Sequence, residues 1–598
     1  MNIYEFYTGK EFEAYKYLGA HVEGNEVVFR TFAPGAMDVK LIGECTEWNE
    51  WQMYRIHDGG FFECRTEHAW EGMLYKYRIY KKDGSYTDHC DPYCFGMEAD
   101  YGTASVVRNL ADYKFNDVKW MKKQSTNMNK PINIYEVHAG SWKRREDGTL
   151  YTYDELAELM IPYLKDMGYN YVEFMPLAEH PCDESWGYQC TAFYAPTFRY
   201  GTAKQLMKMV DMFHQNDIGV FIDFVPVHFA VDEYALANYD GTCLYEYPHN
   251  DVGYNEWGSK NFNHARGEVR TFLQSAANYW LSVYHFDGLR MDAISNIIYW
   301  QGNSERGVNM RAVDFIKTMN YGLKERHPGI ILSAEDSTAY LKVTAPVQYD
   351  GLGFDYKWDM GWMNDTLDYF RTDPLFRGGD GYNRLTFSMM YFYQENYMLP
   401  LSHDEVVHGK ATIAQKMYGE YEMKFPQLRA FYMYMYMHPG KKLNFMGNEL
   451  GQLREWSESR EQDWDILKYP LHDSFHNFIR ELNKLYLSNP AMYAEEQSES
   501  GFEWLDCSDR DQCIYAIRRN GGNKSLMCVL NLSGVTQEYT LTLNQIPDIS
   551  LILNSDWERF SGNTKEKSEQ YNYDGRTFKA DIPQFSGMIF EIKNSKKG

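Results

Sequence analysis

From Ile132 onward the chain alternates short β-rich runs with amphipathic helical stretches, and no other feature of the sequence narrows the fold as much. Such alternation marks βα units built on a parallel sheet. Eight runs qualify as strands: INIYEVH (132–138), YVEFMPL (171–177), VFIDFVPVH (220–228), GLRMDAI (288–294), IILSAED (330–336), FDYKWD (354–359), YMLPLSHD (397–404) and KLNFMGNE (442–449). Eight units predict a closed (β/α)8 TIM barrel. In the stretch DELAELMIPYLKDMG, Leu156, Leu159, Met160, Tyr163, Leu164 and Met167 fall at the spacing of one buried helix face, and Gly168 is the stop signal. AKQLMKMVDMFHQND repeats the device with Leu206, Met209, Val210 and Phe213, and Gly219 follows it. Residues 229–263 are too many for an ordinary connection and are expected to form a functional loop or small subdomain.

The flanks differ in kind. Up to about residue 118, short strand-like segments (EVVFRTFAP, DVKLIGE, FFECRTEH, MLYKYRIYKKDGSYTD) are divided by turn signals, which predicts an N-terminal β-sandwich over 1–118. The barrel then occupies 119–489. Beyond 490 short strands return (CIYAIRR, LMCVLNLS, EYTLTL, MIFEIK), predicting a C-terminal all-β sandwich domain over 490–598. A length of 598 residues exceeds what one hydrophobic core organises and agrees with this division.

Composition removes several function classes. A net charge of −24 opposes encounter with nucleic acid or an anionic membrane surface, but not with a neutral polymer. The ten cysteines hold no CxxC pair and no zinc-like Cys/His spacing, and no acidic loop suggests a calcium site, so no metal and no cofactor are expected. The first residues carry Glu and Lys where a signal peptide needs an apolar core. No later apolar run reaches the roughly 20 residues of a membrane span. The expectation is a cytoplasmic monomer with reduced thiols.

In such a barrel the C-terminal strand ends form one rim, and that rim carries the chemistry. Five of the eight runs place ionisable groups at or near these ends: Glu136 and His138, Asp223 and His228, Arg290 and Asp292, Glu335, and His403 and Asp404. One buried carboxylate in a strand is usually an ion pair or a cap. Ionisable groups converging from five strands suggest more. Three acids and an arginine suit glycosyl transfer, whose transition state resembles an oxocarbenium ion. In a retaining mechanism Asp292 is the nucleophile and Glu335 the proton donor and later base, with the two about 5 Å apart. Ends of adjacent strands, about 4.8 Å apart, can supply that spacing. Arg290, two residues before Asp292 on the same strand face, is expected to keep it ionised. Glu335 is expected to be kept protonated by partial burial and by the like charges of Asp292 and Asp404. Asp404 suits the sugar's hydroxyls and ring distortion, and His228 and His403 are donors for the same ring. Asp223 serves equally as a support for the site or as an ordinary ion-pair partner of an arginine.

The segments DFVPVH, GLRMDAI, SAED and SHDE, in this order, resemble the four signature regions of the α-amylase superfamily, glycoside hydrolase family thirteen. The resemblance implies Asp292 as nucleophile, Glu335 as acid/base, Asp404 as transition-state stabiliser, Arg290, His228 and His403 as substrate contacts, and Asp223 as a support. Within the superfamily the chain is similar to the 1,4-α-glucan branching enzymes across nearly the whole barrel, through YEVHAGSW (135–142), EHPCDESWGYQCTAFYAPTFRYGT (179–202), DGTCLYE (240–246), GLGFDYKWDMGWMNDTL (351–367), LPLSHDEVVHGK (399–410) and HPGKKLNFMGNELGQLREW (438–456). That likeness implies glycogen, amylose or amylopectin as substrate, transfer of a cut α-1,4 segment to a 6-hydroxyl, and Tyr188 lining the subsite beside the cut bond. The Trp48 and Trp51 pair and the YKYRI run (75–79) resemble starch- and glycogen-associated carbohydrate-binding modules, though sandwich core accounts for both tryptophans equally well. Departures from the family pattern are Asp336 where many members have Glu, CTAFY after Gln189, and a short loop at 298–309. Hydrolysis by the same carboxylates is the nearest alternative, and a glucan-binding protein without catalysis the remote one.

Overall fold

Barrel strands in the computed structural model, which describes residues 1–593 apart from 380, 544, 545 and 547, are shorter than their sequence runs. They are β1 (Asn133–Val137), β2 (Tyr171–Phe174), β3 (Gly219–Phe224), β4 (Gly288–Met291), β5 (Ile331–Ala334), β6 (Tyr356–Trp358), β7 (Tyr397–Leu401) and β8 (Lys441–Phe445). In that order they close one barrel. Every residue of β1 and of β3 to β8 is buried, as a parallel sheet covered on both faces requires. The predicted fold class therefore holds, with a correction at the strand ends. Asp292, Glu335, His403 and Asp404 follow the last strand residue rather than belonging to it. His228 lies in a separate two-stranded ribbon, His228–Phe229 against Lys260–Asn261, built from the long insertion. After β4 the backbone turns away from the ladder just beyond Asp292, at Ala293, whose φ is +48°.

The helices follow from local chemistry. Thr202 caps Ala203–Gln215 by accepting from the Gln205 amide, while the Gln205 side chain accepts from Thr202 N, a reciprocal box. Leu206, Met209, Val210 and Phe213 are fully buried beneath it. Helix Tyr153–Met167 ends at Gly168, whose φ of +79° suits glycine. Leu159 departs from its expected face and is 37% exposed, because at this point the apolar stripe is wider than the surface it covers.

The chain packs as two units. The first comprises Met1–Thr126, His138–Ile161 and Glu173–Asp355. Its N-terminal part has two antiparallel sheets, one of strands Gly19–Glu23, Glu26–Phe32, Phe61–Thr66 and Tyr54–His57, the other of Trp51–Gln52, Asp38–Gly43, Leu74–Tyr80 and Tyr86–His89, with Ser105–Val106 beside Leu74–Tyr80. In the YKYRI run Tyr75, Tyr77 and Ile79 are sandwich core, whereas Trp48 is 45% exposed and is not. This part is fastened to the barrel helix Gly267–Val283. The Thr271 hydroxyl and the Gln274 and Asn278 amides donate to the carbonyls of Phe6, Glu11 and Phe12. Gly267 begins that helix directly against the Tyr7 backbone, where a Cβ could not fit.

The second unit comprises Asn127–Val137, Pro162–Val172 and Tyr356–Gly598. It holds helices Tyr421–Met437 and Pro470–Ser488 and an all-β C-terminal part. There Phe502–Asp506, Ile514–Gly521, Lys524–Asn531, Ser586–Lys593 and Asp548–Asn554 form one sheet, and Gln537–Thr542, Thr577–Ile582 and Asn572–Tyr573 another. Ile514, Met527, Phe578 and Phe590 lie in the core between them. Four of these strands match the sequence reading. Thr577–Ile582 escaped it because Lys579 and Asp581 face solvent and leave only a brief apolar alternation.

Candidate active site

The parallel register pairs Asp223 on β3 with Arg290 on β4, and Arg290 with Ser333 on β5. Arg290 therefore stands one step below the strand ends, with Asp292 and Glu335 each two residues further along. Its guanidinium is fully buried, and four oxygens surround it. Nη1 donates to Asp223 Oδ2 at 2.5 Å, to Asp292 Oδ1 at 3.0 Å and to Tyr188 Oη at 3.2 Å, while Nη2 donates to Glu335 Oε2 at 2.7 Å. Tyr188 Oη donates to Asp223 Oδ2 at 2.5 Å. Burial works against the arginine's charge, but Asp223, Glu335 and Asp292 outweigh it and hold its pKa well above the ordinary value.

Exposure then sorts the carboxylates. The Asp223 side chain is 1% exposed and sealed beneath the arginine, whereas those of Asp292 and Glu335 are 13% and 19% exposed and open to an incoming ligand. Arg290 meets Asp292 as its place on the strand led one to expect and, beyond that expectation, bridges it to Glu335.

The backbone completes the pair. Asp292 N donates to Phe224 O and Glu335 N to Met291 O, extending the ladder one residue past each strand. Ala293 then turns into the left-handed region, unusual for alanine, and aims its N–H at Glu335 Oε2, 2.9 Å away. Both donors on Glu335, Arg290 Nη2 and Ala293 N, fall on Oε2. A proton on this carboxyl belongs on Oε1.

His228 is buried, and burial holds its pKa down at about 4, so it is a neutral imidazole. Its ring rests at 5.2 Å against Trp257, which is 44% exposed and whose carbonyl accepts from Gln189 Nε2. Trp257 is a rim residue that the sequence reading missed, and the length of the 229–263 insertion was its only signal. The short loop at 298–309 leans on the same insertion through Gln301 Nε2, which donates to Asp251 O at 2.9 Å and Tyr254 O at 2.6 Å. Of the departures, Cys190 is a buried wall thiol whose pKa burial pushes up, and Asp336 closes a turn by accepting from Thr338 N and Oγ1.

In the second unit, His403 and Asp404 follow β7. Glu136 on β1 accepts from His403 Nδ1 at Oε1 (2.6 Å) and from His403 N at Oε2 (3.0 Å). His403 Nε2 lies 3.5 Å from Asp404 Oδ1, and the Asp404 side chain is 39% exposed. His138, also read at a strand end, pairs with Ser141 Oγ instead. No group of His, Cys, Asp and Glu among the described residues has the arrangement of a metal site, and none of the described helices is long and apolar enough to cross a membrane.

Comparison with known proteins bears on this geometry. Residues 17–94 match carbohydrate-binding module 48, the isoamylase N-terminal domain; residues 156–241 match the α-amylase catalytic domain; residues 504–593 match the α-amylase C-terminal all-β domain. The chain is 44% identical to a protein of Halothermothrix orenii named 1,4-α-glucan branching enzyme GlgB, over 94% of this chain and 93% of that one. It is 41% identical to a protein of Fusobacterium nucleatum of the same name, over 99% of each. Among solved structures, a pullulanase of Anoxybacillus sp. complexed with maltotetraose superposes with a TM-score of 0.73 at 18% identity, over 96% of this chain and 87% of that one. At that identity the likeness concerns the fold.

Proposed function

The chain belongs to the 1,4-α-glucan branching enzymes of the α-amylase superfamily, and from that premise we propose that Asp292, Glu335 and Asp404 carry out a retaining transfer between α-glucan chains. In the first step an Asp292 carboxylate oxygen attacks the anomeric carbon, the C1–O4 bond breaks, and Glu335 gives its Oε1 proton to the departing oxygen. In the second, the 6-hydroxyl of another glucan chain attacks the same carbon, Glu335 takes the hydroxyl's proton, and the ester to Asp292 breaks. Two inversions leave an α-1,6 branch. The chemistry needs no cofactor.

The observation that carries the mechanistic half is the single guanidinium bridging Asp292 and Glu335. It sets two carboxylates at one mouth and keeps its own charge close to the attacking one. Asp223 and Tyr188 support the reading by anchoring that guanidinium from below, with Tyr188 also able to line the wall beside the cut bond. His228, His403 and Asp404 are read as partners of the ring's hydroxyls, Asp404 strengthening its hold as the ring flattens. The working form is read as a single chain acting on glycogen, amylose or amylopectin. The branching half rests on the relatives, because nucleophile and acid do not determine which hydroxyl attacks second.

Incubation with amylose tests both halves. Branching lowers iodine colour and creates α-1,6 linkages without a matching rise in reducing ends. Reducing sugar that rises in step would assign the chain to hydrolysis instead. The Asp292→Ala variant is expected to lose branching altogether while still binding glycogen, and near-normal activity in it would remove the assigned nucleophile.

A further inference from the structure

We propose that Glu136 is the positioning residue for His403, setting which ring nitrogen carries the proton and where the other points. The inference rests on the reading of His403 as a substrate contact. Glu136 sits on β1 and His403 just after β7, 267 residues away, and the side chains of both are almost wholly buried, at 1% and 2% exposed. A carboxylate so buried must satisfy its oxygens within the protein. It does so entirely on one residue: Oε2 accepts the His403 backbone N–H and Oε1 accepts ring Nδ1–H.

Two bonds from one carboxylate to one histidine fix both the position of its backbone and the rotation of its ring. Because a carboxylate only accepts, Nδ1 must be the protonated nitrogen, and Nε2 is presented on the side of Asp404, whose Oδ1 is 3.5 Å from it. His403 would thus meet the ring hydroxyls in one orientation and one tautomer, fixed before substrate arrives. Packing from Phe445 and Trp456, whose rings lie 6.0 Å and 6.3 Å from the imidazole, blocks the ring from swinging away.

The Glu136→Gln variant isolates this role. An amide of the same shape offers one accepting oxygen where the carboxylate offered two, so it can accept from the backbone N–H or from Nδ1–H but not both. Facing Nδ1 with an NH2 group forces the opposite tautomer. We expect kcat for branching to fall roughly 10- to 100-fold, the size of effect seen when the outer partner of a metal-bound histidine is removed, with KM changed far less.

A double-mutant cycle decides between positioning and mere structure. Residual rates of Glu136→Gln, His403→Ala and the double variant are measured on amylose with an assay sensitive enough to quantify each. If Glu136 acts through His403, its substitution costs little further once the imidazole is gone. A full-strength Glu136→Gln, or a loss of the same size in the His403→Ala background, overturns the inference. Wild-type rates in His403→Ala alone would instead remove the reading on which it stands, and the inference with it. Should the Gln variant not fold, Glu136→Asp enters the same cycle, keeping two accepting oxygens but withdrawing them by one methylene.

Discussion

At the scale of single residues, Arg290 does what no other side chain could. One planar guanidinium donates to three carboxylates and a tyrosine oxygen, and a lysine, with one compact ammonium, cannot span them. Arg290→Lys is therefore expected to keep much of the stability and lose about 100-fold or more in kcat. Arg290→Met is expected to lose activity and also about 3–5 kcal/mol of stability, because it leaves Asp223 buried without its cation. Urea unfolding midpoints alongside branching rates separate the two, and equal destabilisation by Lys and Met would sink the argument. Part of this was legible in the sequence. Asp292 lies two residues beyond Arg290 and continues its ladder one residue past the strand, so their meeting needs only the β period. That Arg290 also holds Glu335 depends on interstrand register and on the left-handed turn at Ala293, and no local pattern encodes either. Glu136 was legible as a rim residue, whereas its grip on His403 was not, since 267 residues separate them.

At the scale of elements, periodicity revealed the helices and their buried faces, and missed what the helix ends do. The last turn of Ala203–Gln215 brings His214 between Asp117 and Asp287, with Nδ1 and Nε2 each 2.9 Å from a carboxylate oxygen. Trp120 lies flat on the ring, and Asp117 also accepts from His285 Nδ1 at 2.8 Å. Partners 97 and 73 residues away leave no sequence signal. Burial opposes a charge on His214, but Asp287 and Asp117 outweigh it and raise its pKa from 6.5 to about 9. A group whose pKa is raised by folding adds stability that is complete below its unfolded pKa and is lost as pH rises through the folded one. The margin by which the native chain exceeds a His214→Gln variant should thus be constant below pH 6.5, shrink between 6.5 and about 9, and vanish above that. Urea midpoints of the two proteins at about pH 6 and about pH 9.5 check it, and a margin unchanged at the higher pH would mean that the imidazole is held neutral.

At the scale of the whole molecule, the order of sandwich, barrel and all-β domain could be read from composition and period, but the strength of attachment between the first two could not. The sequence presents residues 1–118 as a module set before a barrel. The structure has them seated on it. Tyr93 stacks on Tyr194 at 4.9 Å and Phe95 on Tyr279 at 5.6 Å, while Tyr15 meets Tyr279 edge-on. Thr31 Oγ1 bonds Tyr239 Oη at 2.7 Å, and Asp240 Oδ2 accepts from Gly35 N at 2.5 Å. Deleting 1–118 would uncover this aromatic belt, leave the Thr271, Gln274 and Asn278 donors without their carbonyls, and take Asp117 away from His214. A loss of about 5 kcal/mol corresponds to a fall of roughly 5 °C in melting temperature for a chain of this length, whose unfolding entropy is about 1 kcal/mol/K. The shortened chain should accordingly melt at least that much lower or aggregate on expression, and calorimetry of the full chain should show the sandwich and its side of the barrel unfolding together. An early separate transition for residues 1–118, with a shortened chain as stable as the full one, would make the sandwich a detachable module. Because the contacts run through the helix that immediately precedes β4, cooperative melting would also mean that the strand presenting Arg290 and Asp292 draws part of its rigidity from the N-terminal residues.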